Sequence, residues 1–313
     1  MATKTPVLVV GATGTLGFEI AKQLSRQEGV QVHALVRLGG EANPRKQEKL
    51  EALRQHNVNL ITGDILDKTS LQNACKQIEV VISAVNGDAN IMVAGQTNLI
   101  QAAEAAGVRR FIPSDYSVDY RKLDWGDNYQ LNFRKAILTT LQGSQRLSYT
   151  LILSGVFMET LFNPFGIVFD FQKGRFKYWG DGHTAFDVTS LHDVAAYTAA
   201  AALDEGMANQ ALEVAGDTLT MKQLQALYEE NTIEVLHERN LGSVSDLLHW
   251  IAVHREYSTT PNRYLAQQYH YALVSGKGKL EKQLNDRYPH IRPITIKDYV
   301  RNHYKTENLG VRI

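Results

Sequence analysis

The chain lacks several features that mark specialised classes of protein. It has a single cysteine, Cys75, in 313 residues, which excludes an intrachain disulfide and favours a reducing compartment. The 33 basic and 33 acidic residues cancel, so charge gives no reason to expect nucleic acid or an anionic membrane as a partner. The most apolar run, VAAYTAAAAL (194–203), is too short to span a bilayer. The first apolar run, residues 7–10, is short and ends in glycines, so we expect no signal peptide and a cytoplasmic location.

Several catalytic and metal-binding patterns are absent as well. None of the 14 tyrosines has a lysine four positions later, the pair that short-chain reductases commonly use. Neither H-E-x-x-H nor G-x-S-x-G occurs, so we expect no metal and no serine-hydrolase chemistry. Cys75 lies in a predicted helix, LQNACKQI, and is expected to be a small buried residue. Any catalysis must therefore use another arrangement of side chains.

A glycine-rich turn near the N-terminus is the strongest positive signal. The stretch VLVVGATGTLGFEIAKQL (7–24) places Gly11, Gly14 and Gly17 between a buried apolar strand and an amphipathic helix. Such a turn lets a ligand approach the backbone and points the free N–H groups of the helix start at that ligand. Glycines that serve only a tight turn are the alternative. The strand before and the helix after favour a pyrophosphate, and hence a dinucleotide site.

Strand-like and helix-like segments alternate through the first half of the chain. The predicted strands are 7–10, 30–37, 57–64, 79–85, 108–114 and 148–155, with helices within 41–57, 68–78, 91–107 and 129–143 between them. This alternation predicts an α/β fold, a Rossmann-like doubly wound parallel sheet with right-handed crossovers. Residues 1–155 are expected to form the NAD(P)-binding domain. Residues 156–313 are expected to form a smaller, interleaved C-terminal substrate lobe, with elements at about 185–216 returning to the core.

The end of the second strand indicates which dinucleotide is used. An acidic residue there would bind the ribose diol of NAD, but this strand ends in Val36-Arg37. The guanidinium of Arg37 suits the 2′-phosphate of NADP, although a surface arginine at a strand end is the plainer alternative. Lys46 and Lys49 are close enough in sequence to help, or belong to a solvated helix face. We therefore expect NADP(H) as the cofactor.

The other strand ends supply the remaining candidates, because ligands of such sheets bind beyond the carboxyl ends of the strands. A carboxylate at Asp64 could bind the adenine amine, and small residues after the fourth strand would let a ribose approach. The segment from Pro113 onward should lie near the nicotinamide. Each position could equally be a plain turn. The residues expected to bind the cofactor are Gly11, Thr13, Gly14, Thr15, Leu16, Gly17, Arg37, Asp64, Ser83, Ala84, Val85, Pro113, Ser114, Lys135 and Phe157.

Six segments in order resemble one family, the NmrA-like and isoflavone reductase-like group of atypical short-chain reductases. GATGTLG is similar to its G-x-T-G-x-x-G, and LVR to its arginine-bearing second strand. ITGDILDKTSL, RFIPSDYSVD, LSYTLILSGVFMETL and RYPHIRPITIKDYVRNHY resemble four further segments of the group. The resemblance runs nearly end to end and implies an NADPH-dependent reductase. Asp115, Tyr116 and Ser117 stand where the plant enzymes prefer Glu, Phe and Gly, which puts the plant phenylpropanoid substrates in doubt.

The resemblance also implies a catalytic residue. In the plant reductases a lysine about fifteen residues before the Tyr-Thr pair is the proton donor or acceptor, and an ungapped count back from Thr150 reaches Lys135. A shift of the helix by five residues would put Gln130 there instead, and an ordinary surface lysine is the alternative. Tyr116, Phe157 and Met158 are expected to line an apolar substrate pocket, together with Phe162 and Phe165, and core packing is the alternative for these residues.

Two functions from different classes follow from the same residues. The first is an NADPH-dependent reductase that transfers a hydride to a small aromatic, enone-like or quinone-like substrate. The second is a non-catalytic regulator of the NmrA type, which binds NADP(H) and reports redox state to a protein partner. The placement of Lys135 separates them, because a catalytic lysine must face the cofactor. A purely structural scaffold is a weaker third hypothesis, since it leaves the glycine turn without a role.

Overall fold

Parallel strands and crossover helices alternate through the first half of the chain, as the sequence predicts. The computed structural model describes residues 4–37, 44–258 and 260–304, so the first residues of the predicted segment 41–57 lie outside the described residues. The strands are Thr5–Val10 (β1), Val30–Val36 (β2), Asn59–Thr62 (β3), Val80–Ser83 (β4), Arg110–Ile112 (β5), Ser148–Leu153 (β6), Val156–Phe157 (β7), Phe169–Asp170 (β8), Arg175–Tyr178 (β9), Phe186–Thr189 (β10), Gln210–Glu213 (β11), Asp217–Leu219 (β12) and His237–Asn240 (β13).

The helices complete the alternation. They are Thr15–Ser25 (α1), Pro44–Gln55 (α2), Lys68–Ala74 (α3), Gln96–Ala105 (α4), Tyr129–Gln142 (α5), Met158–Leu161 (α6), Leu191–Leu203 (α7), Met221–Asn231 (α8), Val244–Glu256 (α9), Leu265–Val274 (α10) and Ile296–His303 (α11). Along the described ranges, no helix is both long enough and apolar enough to cross a membrane.

Contacts divide the chain into two units. The first comprises the described parts of residues 1–116, 133–152 and 194–212, and the second those of 117–132, 153–193 and 213–313. The functional division expected near residue 155 stays a prediction, because compactness does not test which residues a substrate contacts.

A seven-stranded sheet organises the first unit. Its strand order is β11-β6-β5-β4-β1-β2-β3, and β1 pairs in parallel with both β2 and β4. The chain thus places β2 and β3 on one side of β1, and then β4, β5 and β6 in succession on the other side. The point between β1 and β4, where the order reverses, is the crevice where sheets of this kind bind their ligands. The predicted Rossmann-like fold class is confirmed.

Alternate residues of β1 face opposite sides of the sheet, and both sides are buried. Leu8 and Val10 belong to a cluster formed with side chains of α3, α4 and α5, among them Leu71, Leu99, Ala103, Ile137 and Leu141. Val7 and Val9 are also fully buried, on the opposite face. Cys75 lies in the cluster, and burial raises the pKa of its thiol to about 12, so it is the inert core residue that the sequence predicts.

One predicted helix has an irregular start. The segment 91–107 begins as a π-helix, Asn90–Gly95, and continues as α4. A Cβ at Gly95 would lie 3.1 Å from Ile65 Cγ2, so glycine allows this turn to approach Ile65 closely. The Gln96 Nε2 donates to the carbonyl of Met92 at 2.8 Å. Single π-helical turns occur often at functional sites. Gln96 contacts the loop after β5, which belongs to the candidate site described below.

The second unit contains two smaller sheets, of order β12-β10-β7 and β13-β9-β8. The antiparallel β8–β9 pair forms a small hairpin in an aromatic-rich stretch of the chain. Phe162 packs there against Phe169, Tyr299 and Tyr304, with ring centroids 4.5, 5.4 and 4.9 Å away. Phe162 is therefore a core residue of this unit.

Ser190 and Asp193 cap the start of α7. The Ser190 hydroxyl donates to Asp193 Oδ2 at 2.7 Å, and the Asp193 N–H donates back to the Ser190 oxygen at 3.1 Å. The same Oδ2 accepts the N–H of Ile294 at 3.0 Å. Asp193 therefore caps α7 and ties the start of this helix to the backbone of Ile294.

Candidate functional site

The carboxyl ends of the central strands meet at one edge of the large sheet. In the register of the sheet Val10 lies beside Leu35 on one side and Ser83 on the other, and Ile82 lies beside Ile112. The loops that follow β1 to β5 therefore leave the sheet on the same side. Thirteen of the fifteen residues predicted to bind the cofactor lie in these loops or at their ends, namely all except Lys135 and Phe157.

The three glycines of the first loop are required for different reasons. Gly11 has a φ of +91°, and a Cβ on it would lie 2.5 Å from the carbonyl oxygen of Ala84. A Cβ on Gly17 would lie 2.3 Å from the carbonyl oxygen of Gly11. Gly14 is different, because its φ of −72° suits any residue and its Cβ would meet Gly11 O at 3.1 Å. The fold itself requires Gly11 and Gly17, whereas Gly14 is exposed at the point where a ligand would approach.

The helix that follows presents free backbone donors. Helix α1 begins at Thr15 with Gly14 as its N-cap, and Gly14 has no side chain to accept the first N–H groups. The first turn contains no acidic residue. Thr15 is exposed, and Thr13 and Leu16 are half-buried. An uncapped helix start next to a glycine turn is the arrangement that binds the phosphates of a dinucleotide.

Three cationic side chains lie around the ends of β1 and β2. The Arg37 side chain is 70% exposed, and its Nη1 lies 3.8 Å from Asp64 Oδ2. Lys46 Nζ donates to the carbonyl of Arg37 at 2.7 Å, and Lys49 Nζ donates to the carbonyl of Thr13 at 3.1 Å. Both lysines of α2 thus reach the loops of the candidate site. The sequence alone did not decide between this placement and a solvated helix face. An exposed ion pair at this distance is weak, so Arg37 is available to an incoming phosphate.

The loops after β4 and β5 are tied to each other. Ser83 is fully buried, and within the described part of the chain its hydroxyl has no hydrogen-bond partner. Ala84 and Val85 are half-buried. The Ser114 hydroxyl donates to the carbonyl of Val85 at 2.6 Å, and its N–H donates to Gln96 Oε1 at 3.0 Å.

Tyr116 has a strained backbone. Its φ of +23° is rare for a residue with a side chain, and such strain costs about 1–3 kcal/mol. The side chain is 6% exposed, and Thr198 of α7 lies beside its hydroxyl. Burial, and then the neighbouring charge of Asp115, raise the pKa of the phenol well above its usual range. Tyr116 is therefore a neutral, packed residue, and its predicted place in the substrate pocket stays a prediction.

Lys135 lies in the second turn of α5 and is half-buried. Its carbonyl accepts the Thr139 hydroxyl at 3.0 Å. The residue before it, Arg134, donates from Nε to the carbonyl of Asp115 at 2.7 Å. This bond ties the part of α5 that carries Lys135 to the loop after β5. Neither Arg134 nor Gln96 stands out in the sequence, because the contacts that tie them to the loop after β5 are made with distant backbone groups.

The remaining predicted residues lie in the second unit. Phe157 ends β7 and is half-buried, whereas Met158 begins α6 and is fully buried. Phe165 is exposed and contacts Tyr269 edge to face, with 6.0 Å between the ring centroids. The roles expected for Phe157 and Met158 stay predictions.

A parallel α/β sheet whose first strand ends in a glycine turn and an uncapped helix defines a Rossmann-like nucleotide-binding protein. The chain belongs to the NmrA-like family, whose model matches residues 3–291. This confirms the resemblance found in the sequence.

Two curated relatives and one solved structure are similar over nearly their whole length. The isoflavone reductase of Pisum sativum is 29% identical over 96% of this chain and 99% of its own length. The phenylcoumaran benzylic ether reductase of Nicotiana tabacum is 27% identical over the same shares. The structure of AtPrR2 with NADP+ and (+)pinoresinol has a TM-score of 0.83, 24% identity, and coverage of 96% of this chain and 99% of that one. That structural likeness establishes a common fold.

Proposed function

We propose that this chain is an NADPH-dependent reductase of a small aromatic, enone-like or quinone-like substrate, with Lys135 as proton donor or acceptor. The observation that carries the proposal is the turn at the end of β1. A Cβ on Gly11 or Gly17 would collide with neighbouring backbone, whereas Gly14 is exposed where a ligand would approach. The oxidoreductase class follows from the two relatives named above, both reductases. The NADP(H) cofactor agrees with the solved neighbour, which contains NADP+.

NADPH, when bound, supplies the hydride. The N–H groups at the start of α1 would hold its pyrophosphate, with the cations of Arg37, Lys46 and Lys49 around the adenosine end. Lys135 would give a proton to the reduced substrate, or orient the group that does. An apolar wall around the reacting carbon would exclude water and favour an aromatic substrate.

Cofactor preference is the first test. We expect NADPH to bind ten to a hundred times more tightly than NADH, a difference of about 1.4–2.8 kcal/mol. Arg37→Ala should remove most of this preference and leave NADH affinity nearly unchanged, because the proposed partner of Arg37 is the phosphate that NADH lacks. Titration calorimetry with both cofactors measures the two affinities.

Arg26→Ala is the matched control, since Arg26 is an exposed arginine at the other end of α1. It removes the same charge and should leave the preference intact. Equal affinities of the unmutated protein for NADPH and NADH would contradict the assignment of NADP(H).

Substrate class is best found by a panel. The purified protein with NADPH is offered quinones, enones and phenylpropanoid-like compounds, and the loss of NADPH absorbance is followed. The redox-sensing regulator receives no support from the relatives, which are reductases. Tight NADPH binding without turnover of any compound in the panel would favour the regulator hypothesis over the reductase.

A further inference from the structure

The strained segment Pro113–Tyr116 is held from several directions. The unusual φ of Tyr116 persists only where surrounding contacts over-determine the backbone. Gln96 of α4 accepts the Ser114 N–H, and the Ser114 hydroxyl binds the carbonyl of Val85. These contacts fix the first half of the segment against α4 and the end of β4.

Arg134 holds the second half. Its Nε lies 2.7 Å from the carbonyl oxygen of Asp115, 19 positions earlier in the chain. That carbonyl belongs to the peptide group between Asp115 and Tyr116. The φ angle of Tyr116 describes the rotation of this peptide group about the Tyr116 N–Cα bond. A charged donor makes a stronger hydrogen bond than a neutral one. Arg134 therefore acts directly on the strained torsion.

The position of Arg134 in the helix gives this contact a second consequence. It directly precedes Lys135 in α5, so the two side chains leave the helix about 100° apart. One side chain can bind the loop while the other points elsewhere. The bond from Arg134 thus fixes the helix that carries Lys135 against the segment that follows β5, where the nicotinamide is expected.

We propose that Arg134 is a positioning residue, which locks the Asp115–Tyr116 peptide and so sets the placement of Lys135 relative to the nicotinamide end of the site. This inference rests on the proposed reductase function. It predicts a role in turnover and little role in cofactor affinity, because the proposed adenosine and pyrophosphate contacts are at the ends of β1 and β2. A misplacement of reacting groups by a fraction of an ångström to an ångström lowers rates by one to two powers of ten.

The test compares Arg134→Ala, Arg134→Lys and a control, Gln142→Ala, at an exposed position of the same helix. With a substrate from the panel, Arg134→Ala should lower kcat about tenfold and change the dissociation constant of NADPH less than threefold. Arg134→Lys should recover part of kcat, since it keeps a charged donor but not the planar fork. Methylguanidinium at low concentration should raise kcat of Arg134→Ala alone, a rescue that a loss of helix stability would not show.

Three outcomes overturn the proposal in distinguishable ways. An unchanged kcat in folded Arg134→Ala shows that Arg134 does not position the site. A parallel loss of kcat, NADPH affinity and melting temperature, without rescue by methylguanidinium, assigns Arg134 a purely structural role. An unmutated protein that binds NADPH but reduces no member of the panel overturns the reductase function itself, and with it the role of Arg134.

Discussion

Gly14→Val is expected to abolish NADPH binding while the protein remains folded. The backbone at Gly14, with φ −72° and ψ 172°, is extended and suits a β-branched residue. Its Cβ would approach Gly11 O to 3.1 Å, a contact that a small shift relieves. The new methyl groups would stand on the exposed side of the turn, where the pyrophosphate must come close to the backbone. We expect affinity for NADPH to fall by more than about a hundredfold, or about 2.8 kcal/mol.

Titration calorimetry measures the loss of binding, and thermal unfolding shows whether the fold is retained. Gly17→Ala is the informative comparison, although it adds only one methyl group. Its Cβ would lie 2.3 Å from the backbone oxygen of Gly11, so the smaller substitution should destabilise the fold by about 1–3 kcal/mol or more. Undiminished NADPH affinity in folded Gly14→Val would refute the dinucleotide site.

The central strands were readily predicted because most of their residues are buried on both faces, as in β4 and β5. Runs such as Val7–Val10 contain no polar residue, and glycines or charged helices separate them, so existence and direction follow from composition. Strand order does not follow, because an apolar run says nothing about which strand lies beside it. The interior position of β1, with β2 on one side and β4 on the other, emerges only from the structure.

The positions of the candidate site residues could be predicted where they follow from the nearby sequence, and could not where they depend on distant contacts. Gly11 and Arg37 directly follow strands and Asp64 lies two residues after one, so their place at the sheet edge could be inferred from sequence. The different requirements at Gly11 and Gly14 depend on where Ala84 lies, which sequence spacing does not reveal. The bond from Arg134 to the backbone of Asp115 has no sequence signature, because a carbonyl acceptor is present at every position.

The decisive experiment on catalysis is Lys135→Ala. General acid–base catalysis contributes about a hundredfold to ten-thousandfold to rate, so we expect turnover of a true substrate to fall by at least about a hundredfold. NADPH affinity should change far less, because the lysine acts on the reacting centre and not on the adenosine or pyrophosphate. Steady-state kinetics with a substrate from the panel, together with NADPH titration, separate these two effects.

Lys135→Arg distinguishes proton transfer from charge. Arginine keeps the positive charge but stays protonated, so this variant should remain as slow as Lys135→Ala if the lysine transfers a proton. Recovery of turnover by arginine would show that charge alone is needed. Lys76→Ala removes an exposed lysine next to α3 and should leave both turnover and NADPH affinity unchanged. Full activity of folded Lys135→Ala would contradict the assignment, because the half-buried lysine of α5 would then have no part in the reaction.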